Sequence, residues 1–161
     1  MTGVQTCALP ISAELVTAVA EGVKLVVVLV DNHGFASIGN LSESVGGQRL
    51  GTRYRYRSKA GRLDGDLLPV DLAANAASLG ADVIRVRGRD DLRAAISAAR
   101  AADRTTVVHV EVDPLVAAPS SDTWWDVPVA EVSSLDSTTV ARSRYETDKQ
   151  AQRAYLGRSE T

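Results

Sequence analysis

Residues 24–40 read KLVVVLVDNHGFASIGN, and the character of this stretch changes abruptly at Asp31. Leu25 to Val30 is an unbroken apolar and largely β-branched run, which predicts a strand buried on both faces of a parallel sheet. Three further polar or small residues, Asn32, His33 and Gly34, follow Asp31 directly. Because open α/β folds bind ligands beyond the carboxyl ends of their strands, this turn is the candidate functional site.

The residue types in the turn suit a hard cation and a phosphate. Asn32 offers a neutral amide oxygen, Asp31 a carboxylate, and Gly34 a carbonyl on a backbone that can turn tightly without a Cβ. Mg²⁺ prefers such oxygens and completes its shell with water and phosphate oxygens. The alternative is a strand followed by an ordinary Asx turn, and the short Asp-Asn-x-Gly pattern does not decide between the two by itself.

The rest of the chain alternates helices with strands. Helical patterns run from Ala13 up to Gly22, over 69–79 with Pro69 at the helix start, and over 90–102, whereas strand patterns cover 82–86 and 105–112. This order predicts the α/β class, a parallel sheet covered by helices on both faces. Since a helix leading into a buried strand calls for an earlier strand, we expect the sheet to be truncated at its N-terminal strand. A helical tail is expected at the C-terminus.

Composition restricts the function classes. The chain has 161 residues, 45% of them hydrophobic, and a formal net charge of −2, which is typical of a globular chain and argues against a nucleic-acid partner. A single cysteine and the lack of a long apolar span favour a cytoplasmic location with no membrane partner.

Three separated motifs carry a resemblance to a known family. The run VVVLVDNHGFASIGNLSESVGG resembles the second half of the thiamine diphosphate motif, in which Gly-Asp-Gly ends one strand and a later Asn-Asn or Asp-Asn ends the next. Within that superfamily, DNHGF, the later GTRYR and the tail WWDVPVAEVS resemble the trihydroxycyclohexanedione hydrolases of inositol breakdown. The resemblance covers Ser12 to Leu156.

The resemblance implies thiamine diphosphate and Mg²⁺ as cofactors. Asn32 and Gly34 would be metal ligands, the backbone near Ser37 would face the terminal phosphate, and Ile38 would stand near the substrate. The implied cofactor-binding set is Asn32, Gly34, Phe35, Ser37 and Ile38. The Gly-Asp-Gly aspartate, the other metal ligand, is expected upstream of this chain, because Asp64-Gly65-Asp66 lies after Asn32 and follows no strand.

The implied reaction is cleavage of a carbon–carbon bond with water, which opens a polyhydroxylated cyclic dione to 5-deoxy-glucuronic acid. In the family the glutamate that activates the cofactor belongs to another domain, usually of a neighbouring subunit, so no catalytic residue is assigned in this chain. We therefore expect the chain to be inactive alone and the full-length enzyme to be a homo-oligomer. The alternatives are another thiamine diphosphate enzyme, such as an acetolactate synthase or carboligase, and a binding module without chemistry.

Residues 1–12, MTGVQTCALPIS, resemble a translated sequencing adapter, and a genuine flexible N-terminus is the alternative. With that stretch set aside, residues 13–115 are the predicted truncated thiamine diphosphate-binding (pyrophosphate) domain. Residues 116–161 are then a linker and helical tail, in which the Trp124-Trp125 pair is expected to dock the tail on the body. A long tail helix from Ser134 or Asp136 to Leu156 is expected to be anchored by Val140, Tyr145 and Tyr155.

Two histidines and a basic loop remain open. We expect His33 to have a surface or packing role, with acid–base catalysis as the alternative, and His109 to be a hydrogen-bonded core or edge residue. The loop between Arg49 and Arg62 is expected to be a solvated face. Its alternative is a loop that closes over an anionic cofactor or a polyhydroxylated substrate, with Arg53, Tyr54 or Arg55 reaching in.

Overall fold

A computed structural model of the chain describes residues 11–116 and 126–152, which fall into two compact units. Of the described residues, those up to 33 and 68–113 form the first unit, and 34–67 together with those from 114 onward form the second. The elements in chain order are α1 (Ile11–Ala20), β1 (Val26–Asp31), α2 (Ala36–Ser44), α3 (Leu72–Ser78), β2 (Asp82–Val86), α4 (Arg89–Ala101), β3 (Thr106–Glu111) and α5 (Asp136–Ala151). Within the described ranges, no helix is long and apolar enough to cross a membrane.

The first unit is built on a parallel sheet of order β1-β3-β2. Both outer strands pair with β3, so that Thr106 lies beside Val26 on one side and beside Asp82 on the other. The central position of β3 buries four of its residues, Thr106 to His109. The predicted strands and the predicted parallel α/β class are confirmed.

Helices cover both faces of this sheet. On one face Leu15 of α1 and Ala76 of α3 pack against Val107, and on the other face Ala95 and Ala99 of α4 pack against Val108. Small alanine side chains let the helices approach the β-branched strand residues closely. Full burial of one valine side chain stabilises a fold by about 1.5–3 kcal/mol, so these two valines of β3 are principal contributors to the core.

The prediction that β1 is buried on both faces is wrong. Val26, Val28 and Val30 are 40%, 44% and 56% exposed, whereas Val27 and Leu29 pack into the core on the face covered by α1 and α3. On the opposite face the buried residues of α4 pack on β3 and β2 rather than on β1. An apolar run predicts a strand, but it does not reveal how far the neighbouring helix extends over an edge of the sheet.

Two helix starts also differ from the prediction. The helix expected from Pro69 begins at Leu72, because the Asp71 side chain accepts a hydrogen bond from Ala74 N–H at 2.8 Å and thereby caps the helix. The helix expected from Ala13 begins at Ile11. Helix ends are the least certain part of a sequence prediction, because capping depends on the orientation of a single side chain.

The second unit joins α2 and α5 through a glycine. The Gly46 carbonyl accepts hydrogen bonds from Ser137 Oγ at 2.8 Å and from Thr138 Oγ1 at 2.9 Å. A Cβ at position 46 would lie 2.4 Å from the Ser137 carbonyl oxygen, so this contact requires glycine. The start of α5 is therefore held against the segment that follows α2.

Of the two expected anchors of the tail helix that the structure describes, Tyr145 is buried and Val140 is exposed. Tyr145 is buried and donates a hydrogen bond to Asp126 Oδ1 at 2.7 Å, which ties Asp126 to α5. Val140 is 70% exposed, so its predicted anchoring role is wrong, because it lies on the solvent side of the helix. The predictions for Trp124, Trp125 and Tyr155 fall outside the described residues.

Candidate functional site

The turn after β1 is organised by the Asp31 carboxylate, which is buried at the end of the strand. Asp31 Oδ1 accepts a hydrogen bond from the His33 backbone N–H at 2.9 Å, and Asp31 Oδ2 lies 3.1 Å from Nε2 of the buried His109. The first contact has the i to i+2 pattern of an Asx turn. The Asx turn that the sequence analysis gives as the alternative is therefore present.

His33 adopts a left-handed backbone conformation, with φ of +51°. For a residue with a Cβ this conformation costs roughly 1–2 kcal/mol, and the hydrogen bond to Asp31 offsets part of that cost. The His33 ring contributes less, since its Nδ1 is 4.0 Å from Asp31 Oδ1, beyond hydrogen-bond distance. It is the backbone of His33 that shapes the turn.

Asn32 carries a buried polar atom without a partner. Its Oδ1 is shielded from solvent and accepts no hydrogen bond from any residue that the structure describes. Leaving such an oxygen unpaired costs about 1–3 kcal/mol, so it calls for an explanation. A neutral amide oxygen at the carboxyl end of a parallel strand is a suitable ligand for Mg²⁺, and the residue present therefore fits the implied metal.

Gly34 packs its backbone tightly against the segment around Thr52. An added Cβ would lie 2.3 Å from the Thr52 carbonyl oxygen, and the backbone of Gly34 has φ of +155°, which other residues rarely adopt. The next residue, Phe35, donates its N–H to the same carbonyl at 2.8 Å, and its ring meets Tyr54 edge-on with centroids 5.9 Å apart. Glycine is thus required at this position.

The start of α2 presents backbone donors without a side-chain cap. Phe35 occupies the N-cap position and makes no capping hydrogen bond through its side chain, and the first turn contains no acidic residue. Ser37 and Ile38 of this turn are exposed. Free N–H groups at a helix start favour an anion such as a diphosphate, which is the chemistry implied for these residues.

Two of the basic side chains in the loop, Arg49 and Arg62, form ion pairs with nearby carboxylates. Arg49 Nε lies 2.6 Å from Glu43 Oε1, and this hydrogen bond lowers the pKa of the Glu43 carboxyl and raises the pKa of Arg49. Arg62 Nε lies 3.1 Å from Asp64 Oδ2, and Arg55 donates to the Gly65 carbonyl at 2.8 Å. The Nε atoms of Arg53 and Arg55 are buried without a partner among the described residues, so the solvated face and the loop that closes over an anion both stay predictions.

The expectation that His109 is a hydrogen-bonded core residue is confirmed, but its partner was not foreseen. His109 lies beside Leu29 in the sheet register, two residues before Asp31 on the neighbouring strand. The signal for the His109–Asp31 pair is that one strand contains a histidine and the strand beside it ends in an aspartate. The sequence alone does not give the register.

Comparisons with known proteins identify the family of this chain. The sequence profile described as "Thiamine pyrophosphate enzyme, C-terminal TPP binding domain" matches residues 6–110. Among curated relatives, the "3D-(3,5/4)-trihydroxycyclohexane-1,2-dione hydrolase" of Clostridium perfringens is 34% identical over 147 residues, which is 91% of this chain and 23% of the relative. The first of two such hydrolases of Bacillus cereus is 36% identical over 144 residues, which is 89% of this chain and 22% of the relative.

The chain therefore spans less than a quarter of the length of these curated relatives. No solved structure gives a significant match. The matched residues include β1, the turn after it, β2, and all of β3 except Glu111. The chain belongs to the thiamine pyrophosphate enzymes, through their C-terminal TPP-binding domain.

Proposed function

We propose that this chain provides the Asp-Asn half of a site for thiamine diphosphate and Mg²⁺. The observation that carries the proposal is the buried and unpartnered Oδ1 of Asn32, at the carboxyl end of β1. Asn32 Oδ1 and the Gly34 carbonyl would ligate the metal. When bound, the cofactor stabilises negative charge on carbon during cleavage of a bond beside a carbonyl.

The residues that follow the turn would hold the diphosphate end of the cofactor. The uncapped start of α2 offers backbone N–H groups near Ser37, with the helix dipole favouring an anion, whereas the Phe35 N–H is bonded to the Thr52 carbonyl. Ile38, 59% exposed, would present an apolar side chain toward the substrate. An isoleucine exposed to this extent suits a surface that a ligand covers.

For the full-length enzyme we propose hydrolytic opening of a trihydroxycyclohexanedione ring to 5-deoxy-glucuronic acid in inositol catabolism, in the cytoplasm and by a homo-oligomer. The names of the curated relatives support the substrate. Because the chain spans less than a quarter of those relatives, the activating glutamate and the second metal ligand would come from elsewhere. This chain alone is then inactive.

Calorimetric titration of thiamine diphosphate into the chain, with and without Mg²⁺, tests the cofactor assignment. Asn32→Ala is expected to abolish Mg²⁺-dependent binding, while Asn75→Ala, on the exposed side of α3, is expected to leave it unchanged. Equal binding by the two variants would contradict the assigned role of Asn32. The same pair of substitutions in the full-length enzyme extends the test to the complete site.

The reaction is tested with the full-length enzyme on alternative substrates. Turnover of the cyclic dione without turnover of pyruvate is expected, whereas carboligation of pyruvate would favour an acetolactate synthase-like activity. A full-length enzyme that neither binds thiamine diphosphate nor acts on either substrate would favour a binding module without chemistry.

A further inference from the structure

We propose that His109 is a positioning residue for the metal-binding turn, acting through Asp31; this inference rests on the proposed function. Both side chains are buried, with exposed fractions of 3% for His109 and 4% for Asp31. Neither is in the set of residues that the family resemblance assigns to the cofactor. Their contact is 3.1 Å between His109 Nε2 and Asp31 Oδ2.

The two oxygens of the Asp31 carboxylate have separate partners. Oδ2 faces His109 on the central strand, and Oδ1 accepts the His33 N–H at 2.9 Å. A carboxylate is free to rotate about its Cβ–Cγ bond unless one oxygen is held. The bond to His109 therefore fixes that rotation and aims Oδ1 at the turn.

Asn32 lies within the ring that this hydrogen bond closes. The bond runs from His33 back to Asp31, so the backbone that carries Asn32 is constrained on both sides. It also holds His33 at φ of +51°, a conformation that would otherwise be disfavoured. This constraint sets the direction of the Asn32 Cα–Cβ bond, from which the side chain with its buried Oδ1 extends.

The anchor of the arrangement is the best-buried strand of the sheet. His109 belongs to β3, and the Val112 N–H that follows this strand donates to the Asp31 carbonyl at 2.9 Å. The end of β1 is therefore joined to β3 by backbone pairing and also by a side-chain contact. Only the side-chain bond can be removed by substitution without altering the backbone pairing.

A matched pair of variants in the full chain tests the proposal. His109→Gln keeps an N–H donor near the place of Nε2, whereas His109→Leu has a comparable volume and no donor. Hydrogen exchange of the His33 amide in the absence of ligands reports the bond to Asp31 directly. His109→Leu is expected to raise that exchange rate roughly five- to tenfold, the effect of losing one hydrogen bond, and His109→Gln to restore protection.

The Val108 amide, in the core beside His109, serves as the reference for general destabilisation. A faster His33 amide with an unchanged Val108 amide supports positioning. An unchanged His33 amide in His109→Leu, or equal acceleration at His33 and Val108 in both variants, would overturn it. If His109→Leu does not fold, ring ¹⁵N shifts of the unsubstituted chain decide: His109 Nε2 must carry a proton, and an unprotonated Nε2 refutes the proposal.

Affinity for Mg²⁺ and thiamine diphosphate in the full-length enzyme separates this inference from the proposed function. We expect weaker binding in His109→Leu than in His109→Gln, with abolition only in Asn32→Ala. If Asn32→Ala binds Mg²⁺ and thiamine diphosphate as well as the original enzyme does, the proposed function is wrong, and the exchange measurements still test the positioning role. If Asn32→Ala abolishes binding but His109→Leu and His109→Gln bind with the same affinity, only the positioning role is overturned.

Discussion

Replacement of Gly34 by alanine should disrupt the candidate site through the backbone alone. The new Cβ would lie 2.3 Å from the Thr52 carbonyl oxygen and 2.8 Å from the Arg53 Cα. Carbon–oxygen contacts are comfortable only beyond about 3.3 Å, so the two segments must separate by roughly 1 Å. That separation breaks the hydrogen bond of 2.8 Å from Phe35 N–H to the Thr52 carbonyl.

The expected cost has two components. The backbone conformation at Gly34 is disfavoured for alanine by about 1–3 kcal/mol, and loss of the Phe35 hydrogen bond adds about 1 kcal/mol. Gly61→Ala is the matched control, because Gly61 has φ of +79° and no atom within 4 Å of an added Cβ. That control should cost only about 1–2 kcal/mol, the price of the left-handed backbone.

Chemical denaturation followed by circular dichroism gives the free energy of unfolding of each variant. The account predicts that Gly34→Ala loses about 2–4 kcal/mol, clearly more than Gly61→Ala. It also predicts that Gly34→Ala weakens binding of Mg²⁺ and thiamine diphosphate while Gly61→Ala does not. Equal losses of stability and unchanged binding in both variants would refute the close approach of Gly34 to Thr52.

Three further predictions concern the supporting fold. Val108→Ala should lower the free energy of unfolding by about 2–3 kcal/mol, because the substitution removes two methyl groups from a fully buried site. Denaturant titration measures this free energy, and a loss below about 0.5 kcal/mol would contradict the core position of Val108. The hydrogen bond from Ala74 N–H and the contact with Arg85 hold the pKa of Asp71 below its ordinary value, so its stabilisation is present at neutral pH and fades as the pH falls below about 4. The melting temperatures of the original chain and Asp71→Ala should therefore converge in acid, and a constant difference would argue against the cap. Tyr145→Phe should cost about 1–2 kcal/mol, because its hydroxyl donates to Asp126 and accepts from Lys149, and a double-variant cycle with Asp126→Ala should show a coupling energy of about 1 kcal/mol.

The sequence predicts the elements well because their signals are local. The strand over Asp82–Val86 is found as predicted, and the helix predicted over 90–102 is found as α4, Arg89–Ala101. Each of these features depends on residue spacing within a single element. The same reasoning placed the candidate turn at the carboxyl end of β1.

Features that depend on contacts between distant segments were not predictable. The exposure of Val28 depends on how far α4 reaches across the sheet, and the exposure of Val140 depends on which side of α5 packs against the rest of its own unit. The pairing of His109 with Asp31 requires the strand register. The close approach of Gly34 to Thr52 likewise depends on a loop whose path the residue pattern does not specify.

Direct detection of the metal at Asn32 tests the central claim. Mn²⁺ can replace Mg²⁺ in oxygen sites and broadens NMR signals of nearby nuclei. With thiamine diphosphate present, the account predicts that Mn²⁺ broadens the side-chain amide signals of Asn32 and leaves those of Asn75 sharp. Sharp Asn32 signals under conditions in which the full-length enzyme binds Mn²⁺ and the cofactor would contradict the assignment of Asn32 as a metal ligand.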